Sequence, residues 1–317
     1  MANTFILLVT GFIILILGGD YFVKGSSSLA FRLKLSPLVV GLTIVAFGTS
    51  APELLISLQA ALSGSPDIAT GNVIGSNICN LSLVLGVTAI ITPVLLKKNS
   101  IRFDWPMTMG ASLLLFFVIQ KGYIASWEGI VFVFILIIYI VFIIWKSRKT
   151  TKDLELVQKN DDIPEAPPKQ LIKDIFIITL GAAGLYYGSE LLVGSVRDLA
   201  VELGVEERVV GLTLVALGTS LPELVTAAMA SYKGHTDLAI GNLMGSNLFN
   251  ILSILGITSI ITPITVNESI ISTDIIWMLA ITLLVLPLMV IRKTIGRFDG
   301  VILIVFYIIY IYFVVVS

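Results

Sequence analysis

The sequence predicts an all-α integral membrane protein in which ten transmembrane helices form two inverted five-helix repeats. Three observations lead to this fold class. First, 56% of the 317 residues are hydrophobic and only 13% are charged, whereas soluble domains average about 25% charged residues. Second, the hydrophobic residues fall into segments of membrane-spanning length. Third, the chain matches itself when Gly41 is placed on Gly211.

A spanning helix needs about 20 mainly apolar residues. The first five predicted spans are residues 4–23, 38–62, 68–96, 105–120 and 127–145. The second five are residues 171–196, 209–229, 238–261, 275–291 and 301–316. The N-terminal segment lacks a positively charged start and stays apolar to about Val23. We therefore expect it to be the first spanning helix and not a cleaved signal peptide.

A polar, proline-containing stretch separates the fifth and sixth spans and is typical of a plain connector. We predict a first inverted repeat over residues 1–146 (helices 1–5), a linker over 147–170, and a second repeat over 171–317 (helices 6–10). Placing the N-terminus outside puts most lysines and arginines in the cytoplasm and leaves Lys121, Arg197 and Arg208 outside. The positive-inside rule thus predicts a multi-pass plasma-membrane protein with both termini outside and a cytoplasmic linker.

Two motifs occur in both halves. The stretch "GLTIVAFGTSAPELL" from Gly41 matches "GLTLVALGTSLPELV" from Gly211, and "GNVIGSNICN" from Gly71 matches "GNLMGSNLFN" from Gly241. Because five spans is an odd number, the second copy must enter the membrane upside down. Inverted repeats with interrupted helices are a feature of secondary transporters, which bind substrate near the bilayer midplane between the repeats.

The first motif places a helix breaker and a carboxylate inside a span. Pro52 has no N–H and its ring clashes with the Gly48 carbonyl, so we expect the helix to kink or open near residues 48–50. The carbonyls expected to lose their normal partners include those of Ala46, Phe47 and Thr49. A carboxylate such as Glu53 at a helix centre costs about 3 kcal/mol on insertion scales, which indicates a functional role.

Helical spacing collects the candidate ligands on one face of each motif helix. In the first motif these residues are Ala46, Thr49, Ser50 and Glu53, and in its second copy Ala216, Thr219, Ser220 and Glu223, beside Pro222. The second motif forms the polar stripes Asn72, Ser76 and Asn80, and Asn242, Ser246 and Asn250. We expect Ser76, Asn80, Ser246 and Asn250 to line the site. Asn72, Asn77, Asn242 and Asn247 fit either the site or interhelical hydrogen bonds equally well.

The candidate residues listed above offer only oxygen atoms as ligands, which suits Na⁺, Ca²⁺ and Mg²⁺ and disfavours soft metals. Two flexible, opposed loops fit Ca²⁺ better than the rigid octahedron of Mg²⁺. Two carboxylates neutralise one Ca²⁺ or balance Na⁺ ions or protons instead, which is the physical basis for exchange. With His235 and Cys79 as the only histidine and cysteine, we expect no histidine zinc site and no disulfide. We predict no enzymatic activity and no cofactor.

The paired motifs, "GTSAPELLISL" with "GNVIGSNICN" and "GTSLPELVTAA" with "GNLMGSNLFN", resemble the two α-repeats of the calcium/cation antiporters. The resemblance is closest to the prokaryotic-type sodium/calcium exchangers. It implies a secondary active antiporter that exchanges Na⁺ for Ca²⁺ by alternating access, with the first and sixth helices sliding across a rigid core. Those helices carry matched glycines and acids, including Asp20 and Glu190.

The resemblance also implies a ligand set. Calcium would be held by the Glu53 and Glu223 carboxylates and the Thr49 and Thr219 main-chain oxygens. Sodium would use Ala46, Thr49, Ser50 and Ser76 on one side, and Ala216, Thr219, Ser220 and Ser246 on the other, with Asn80 and Asn250 in the middle. Some relatives carry Asp at one of these two asparagine positions. Their neutrality here argues against K⁺ co-transport.

Other functions remain open at this stage. A Ca²⁺/H⁺ antiporter of the same superfamily would use Glu53 and Glu223 as proton carriers, although the acid-rich helices expected of that branch are missing. A cation channel is less consistent with a site that closes within one chain, because channels usually place selectivity in a ring of subunits. An intramembrane enzyme would need a Ser/His or paired-Asp arrangement. The expected partners are Ca²⁺, Na⁺ and the lipid bilayer, with no nucleic acid and no obligatory protein partner.

Overall fold

A computed structural model describes residues 2–97, 100–157, 168–202 and 218–316. The first half comprises α1 (Ala2–Arg32), α2 (Pro37–Thr49), α3 (Ala51–Leu62), α4 (Pro66–Ile91), α5 (Ser100–Ile119) and α6 (Ser126–Val157). The second half comprises α7 (Pro168–Glu202), α8 (Leu221–Tyr232), α9 (Thr236–Ile261), α10 (Ile270–Arg292) and α11 (Arg297–Val316). Four two-residue strands join them: β1 (Val94–Leu95), β2 (Tyr123–Ile124), β3 (Ile264–Thr265) and β4 (Thr294–Ile295).

Most of the predicted spans are confirmed as long apolar helices. Within the described residues, 8 helices are long and apolar enough to cross a membrane, and the bent pair α2–α3 raises the number to 9. The remaining predicted span, residues 209–229, is described only from Gly218 onward, where α8 carries its second half. α4 and α9 are the most enclosed of these spans: of an apolar stretch of 18 residues in each, 72% and 83% are buried. They form the centre of the molecule.

The predicted end of the third span is wrong. It was expected to reach Leu96, but the helix ends at Ile91, and Thr92 is extended with φ −143° and ψ 122°. A residue that precedes a proline is disfavoured in the helical region, and Pro93 follows here. The chain then enters strand β1 instead of continuing the helix.

The two short β-ribbons demonstrate that the second half is inverted. β1 pairs with β4, and β2 pairs with β3, both antiparallel. α5 separates β1 from β2, and its 20 residues span about 30 Å, so the two ribbons lie at opposite membrane faces. β1 and β3 are equivalent strands, because they follow the equivalent prolines Pro93 and Pro263. Since one belongs to each ribbon, equivalent parts of the two halves face opposite sides.

Ion pairs connect the halves at one of these faces. Arg32, at the end of α1, pairs with Asp174 near the start of α7, and Lys97, after β1, pairs with Asp237 at the start of α9. We call the face with these pairs and the β1–β4 ribbon the linker face. The face with the β2–β3 ribbon is called the distal face.

α1 and α7 lie against each other along a seam of glycines. A Cβ added to Gly18 would lie 2.6 Å from the carbonyl carbon of Gly184, and one added to Gly11 would lie 2.7 Å from the Leu192 nitrogen. A Cβ on Gly25 would meet Ile178 at 2.8 Å. As residue numbers rise along α1 they fall along α7, so the helices are antiparallel. Small residues allow this close backbone approach.

Candidate cation site

The predicted helix break is confirmed at Ser50. Its backbone, φ −87° and ψ 5°, separates α2 from α3, and the two helices meet at 45°. Ser220 has almost the same conformation, φ −87° and ψ 1°, before α8. Proline is well tolerated in the first turn of a helix, so Pro52 and Pro222 each begin a new helix just after the break. The two serines therefore have the same backbone conformation at the start of α3 and α8.

One expected consequence of the break is not seen. The Ala46 carbonyl was predicted to lose its normal partner, but it accepts the Ser50 N–H at 2.9 Å and the Thr49 hydroxyl at 3.3 Å. The interruption begins two residues later. The Gly48 carbonyl loses its helical donor, because Pro52 lacks an N–H.

The break brings a serine from one half to the glutamate of the other. The Ser50 hydroxyl donates to Glu223 Oε1 at 3.1 Å, and the Ser246 hydroxyl does so at 3.4 Å. Glu223 is fully buried, and its Oε2 has no hydrogen-bond partner among the described residues. The carboxylate is thus held by both repeats, with one oxygen left over.

Glu53 is the less satisfied of the two carboxylates. It is fully buried, and neither of its carboxylate oxygens has a hydrogen-bond partner within the described ranges. Ser50, three residues before Glu53, contacts Glu223 directly, so the two glutamates belong to the same buried region. Two buried carboxylates within electrostatic reach of each other repel, and a cation between them would relieve the repulsion.

Further buried polar atoms of the two repeated motifs have no partners in the described part of the chain. They are Ser76 Oγ, Ser220 Oγ, Asn250 Oδ1 and both side-chain polar atoms of Asn80. Buried polar groups are nearly always hydrogen-bonded, and leaving one unsatisfied costs about 1–3 kcal/mol. A cluster of such oxygens fits a hard cation that supplies the missing interactions.

The carboxylate count limits the kind of metal centre. No three His, Cys, Asp or Glu side chains in the described residues are grouped so that they could hold a metal ion. Binding there would therefore combine two carboxylates with neutral oxygens, as the hard cations Na⁺ and Ca²⁺ accept.

The threonines and alanines of the predicted set differ in their surroundings. Thr49 is buried, and its hydroxyl contacts Asn242 Oδ1 at 3.2 Å and Ser246 Oγ at 3.4 Å. Thr219, 8% exposed, lines a cavity. Ala46 is fully buried beside the break. Ala216 lies outside the described residues.

Of the four asparagines left open by the sequence, three connect helices, and Asn242 does so by accepting the Thr49 hydroxyl, which ties α9 to α2. Asn72 donates to Ser57 Oγ at 3.0 Å, which ties α4 to α3. Asn77 accepts the Asn250 amide at 3.1 Å and donates to the Asn247 carbonyl at 3.4 Å, which ties α4 to α9. The bond between Asn250 and Asn77 orients the Asn250 side chain, whose Oδ1 has no partner among the described residues.

Local π-helical turns, which sequence reasoning missed, adjoin the site. They cover Gly41–Val45 in α2, Asn80–Val84 in α4 and Phe249–Leu255 in α9. Asn80 begins one turn and Asn250 lies inside another, and such turns occur frequently at functional sites. Each turn changes the direction of the side chains that follow. The residues in these turns carry no composition that marks them in the sequence.

A cavity of about 270 Å³ reaches the break from the distal side. Its wall includes Pro52, Pro222, Thr219, Ile56 and Glu190. On the linker side α1 covers the equivalent helix α8: Val225 is 9% exposed, whereas its equivalent Leu55 on α3 is 61% exposed, and a Cβ on Gly19 would lie 2.5 Å from Val225. Among the described residues, the cavity that reaches both prolines and Thr219 therefore opens toward the distal side.

Comparison with known proteins agrees with this architecture. The chain matches the family described as "Sodium/calcium exchanger protein" over residues 3–145 and 173–316. It is 37% identical over 312 residues to the putative antiporter CaxA of Alkalimonas amylolytica, with 97% of each chain covered. It is 32% identical to the sodium/calcium exchanger MaX1 of Methanosarcina acetivorans, with 96% of each covered.

A solved structure extends the likeness to three dimensions. The sodium-calcium exchanger NCX_Mj, soaked with zero Na⁺ and Ca²⁺, superposes with a TM-score of 0.83 at 30% identity, with 98% of each chain covered. The predicted fold class, ten transmembrane helices in two inverted five-helix repeats, is confirmed. The broken helices, the shared pair of glutamates and these relatives together identify the chain as a cation antiporter that belongs to the sodium/calcium exchanger family.

Proposed function

We propose that this protein exchanges Na⁺ for Ca²⁺ across the cell membrane by alternating access. The observation that carries the proposal is the shared burial of Glu53 and Glu223 among oxygens that have no partner in the described residues. Such an arrangement is costly when empty, and a cation would offset that cost. Na⁺ and Ca²⁺ are transported substrates here, and no cofactor takes part.

The proposed ligand set is the one that the resemblance to the sodium/calcium exchangers implies. Ca²⁺ takes the Glu53 and Glu223 carboxylates together with the Thr49 and Thr219 main-chain oxygens. The proposed Na⁺ ligands are Ala46, Thr49, Ser50 and Ser76 on one side, and Ala216, Thr219, Ser220 and Ser246 on the other. Asn80 and Asn250 lie between them. Hydroxyl, amide and main-chain oxygens suit the weaker charge of Na⁺.

Competition for the same two carboxylates produces exchange. One Ca²⁺ neutralises both glutamates, and so does a pair of Na⁺ ions, which excludes simultaneous full occupancy. Because each carboxylate is fully buried, a site without a cation holds uncompensated charge in a low-dielectric environment. The barrier to switching sides is then higher for the empty site than for the loaded one, and this couples the two fluxes.

The identity of the counter-ion is supported by the relatives. MaX1 and NCX_Mj are named as sodium/calcium exchangers, whereas the name of CaxA specifies no counter-ion. The many serine and threonine hydroxyls around the glutamates favour Na⁺, because protons need only the carboxylates. A Ca²⁺/H⁺ antiporter is the second candidate, since Glu53 and Glu223 could each carry a proton.

Proteoliposomes separate the two candidates. We expect ⁴⁵Ca²⁺ uptake when an outward Na⁺ gradient is imposed with pH clamped, and no uptake from a pH gradient in Na⁺-free buffer. Uptake that follows only the pH gradient would instead establish proton coupling. Saturable counterflow distinguishes either antiporter from a channel.

The membrane placement is also a proposal. We place the linker face in the cytoplasm and both termini outside, because Lys24, Arg32 and Lys97 crowd that face. The two repeats occupy residues 1–146 and 171–317, with residues 147–170 as the linker. Helix α6 continues into this linker as far as Val157.

A further inference from the structure

An equivalent pair of acids is used differently in the two halves. Asp20 in α1 forms an ion pair with Lys233, whose ammonium also donates to the Asp20 carbonyl at 3.4 Å. Lys233 is the C-cap residue of α8. The equivalents are Glu190 in α7 and Ser63, the C-cap residue of α3. Both halves therefore carry the acid, but only the second half carries the lysine, so Glu190 has no equivalent lysine on α3.

The ion pair spans the closed side of the site. There α1 covers α8, and Val225 is only 9% exposed, whereas its equivalent Leu55 on α3 is 61% exposed. Glu190 instead lines the distal cavity. The pair thus joins α1 to the end of α8 on the linker side, where α1 covers α8.

We propose that the Asp20–Lys233 pair holds the linker side of the site closed, so that Lys233 is a positioning residue that favours the state open to the distal face. The proposal rests on the alternating access of the proposed function. When inverted repeats exchange roles, α7 covers α3, and Glu190 meets Ser63, which offers no positive charge. One facing state is therefore stabilised by an ion pair that the other lacks.

Two residues can report the facing state without any ion flux. Ile56 lines the distal cavity, whereas its equivalent, Thr226, is fully buried on the covered side. Ile56→Cys should react with a water-soluble maleimide in the described state, and Thr226→Cys should react in the opposite state. The native Cys79 is 1% exposed, so the parent protein provides the blank.

The test is a charge swap between the halves. With Lys233→Ser we expect the labelling rate of Ile56→Cys to fall and that of Thr226→Cys to rise, each by about two- to fivefold, the range for a partly exposed ion pair. Combining Lys233→Ser with Ser63→Lys should shift both rates further, because it transfers the lysine to Glu190. Lys233→Arg, which keeps the charge, should retain the parent rates.

Two results would overturn the proposal: equal labelling in Lys233→Ser and Lys233→Arg, or a rise at both reporters, which would indicate general loosening. Because labelling requires no gradient, its outcome is independent of whether Na⁺ or H⁺ drives Ca²⁺ uptake. If Na⁺ fails to drive Ca²⁺ uptake but the labelling rates shift as expected, the assignment of Na⁺ as counter-ion is rejected. The role of the Asp20–Lys233 ion pair is then still supported.

Discussion

At the scale of single residues, the two glutamates are equivalent in sequence but not in surroundings. Glu223 accepts hydroxyls from Ser50 and Ser246, whereas Glu53 has no side-chain partner in the described residues. A carboxylate with fewer hydrogen bonds depends more on a bound cation. The proposed alternating access accounts for this difference, because the two halves would occupy different stages of the same exchange.

We expect Glu53→Gln and Glu223→Gln each to abolish Ca²⁺ transport while the protein still folds. Removing one charge from a compensated buried set costs about 3–5 kcal/mol, which corresponds to a loss of about 10²- to 4 × 10³-fold in affinity. ⁴⁵Ca²⁺ uptake into proteoliposomes measures the loss, and a monodisperse elution profile in detergent controls for folding. Near-normal uptake by either variant would refute the central assignment.

Two asparagines on the same face of α4 have different expected roles, Asn80 as an ion ligand and Asn72 as a structural residue. Asn80 has no partner in the described residues, whereas Asn72 donates to Ser57. We expect Asn80→Ala to weaken the apparent Na⁺ or Ca²⁺ affinity by about tenfold, since a lost hydrogen bond or ligand to a charge contributes about 1.5–3 kcal/mol. Asn72→Ala should lower the melting temperature and leave the affinity within about twofold. Reversed phenotypes would contradict this division.

At the scale of elements, the broken helix is the feature that builds the site. The 45° bend at Ser50 directs the Ser50 hydroxyl toward Glu223 in the other half. A straight helix would keep its backbone hydrogen bonds but would carry that side chain along the original axis. The Ala46 carbonyl remains bonded. We therefore expect the main effect of Pro52 to be the bend of the helix, and the release of backbone carbonyls to be the smaller effect.

We expect Pro52→Ala to reduce Ca²⁺ uptake at least tenfold without destabilising the fold. The alanine N–H can donate to the Gly48 carbonyl. Because proline inside a continuous helix costs about 3 kcal/mol, its removal should allow the helix to straighten. Thermal unfolding in detergent and ⁴⁵Ca²⁺ uptake together test this. Loss of both folding and uptake would show that the proline is needed for assembly instead.

Some elements could be predicted from sequence and others could not, for physical reasons. Hydrophobic length defines the spans, and Pro52 identifies the break, because each acts within one helix. The π-helical turns at Asn80 and Asn250 and the Ser50–Glu223 bond depend on how helices from different halves approach each other. The ribbons are only two residues long, too short for a period to be visible. The end of α4 could have been anticipated from Pro93.

At the scale of the whole molecule, the inverted repeats set the sidedness of transport. Both ribbons combine one strand from each half, and the ion pairs Arg32–Asp174 and Lys97–Asp237 also cross between halves. These contacts surround the centrally placed α4 and α9. The distal cavity and the ion pair of Lys233 are asymmetric features near the site, as are the different hydrogen bonds of Glu53 and Glu223.

The proposed orientation predicts which surface cysteines react from outside. In sealed, right-side-out vesicles, Tyr123→Cys on the distal face should react with a membrane-impermeant maleimide. Lys97→Cys should react only after permeabilisation. Tyr123 is 46% exposed, and the Lys97 side chain is 65% exposed, so both positions are reachable by reagent. The opposite pattern would reverse the assignment of the two faces.

The shared ribbons bear on the origin of the chain. A single five-helix unit would have unpaired strands and would lack the foreign serine beside its glutamate. Two identical copies of such a unit, inserted in opposite directions, would supply the missing strand and serine to each other. Fusion into one polypeptide fixes that arrangement and allows the two copies to differ, as Lys233 and Ser63 do.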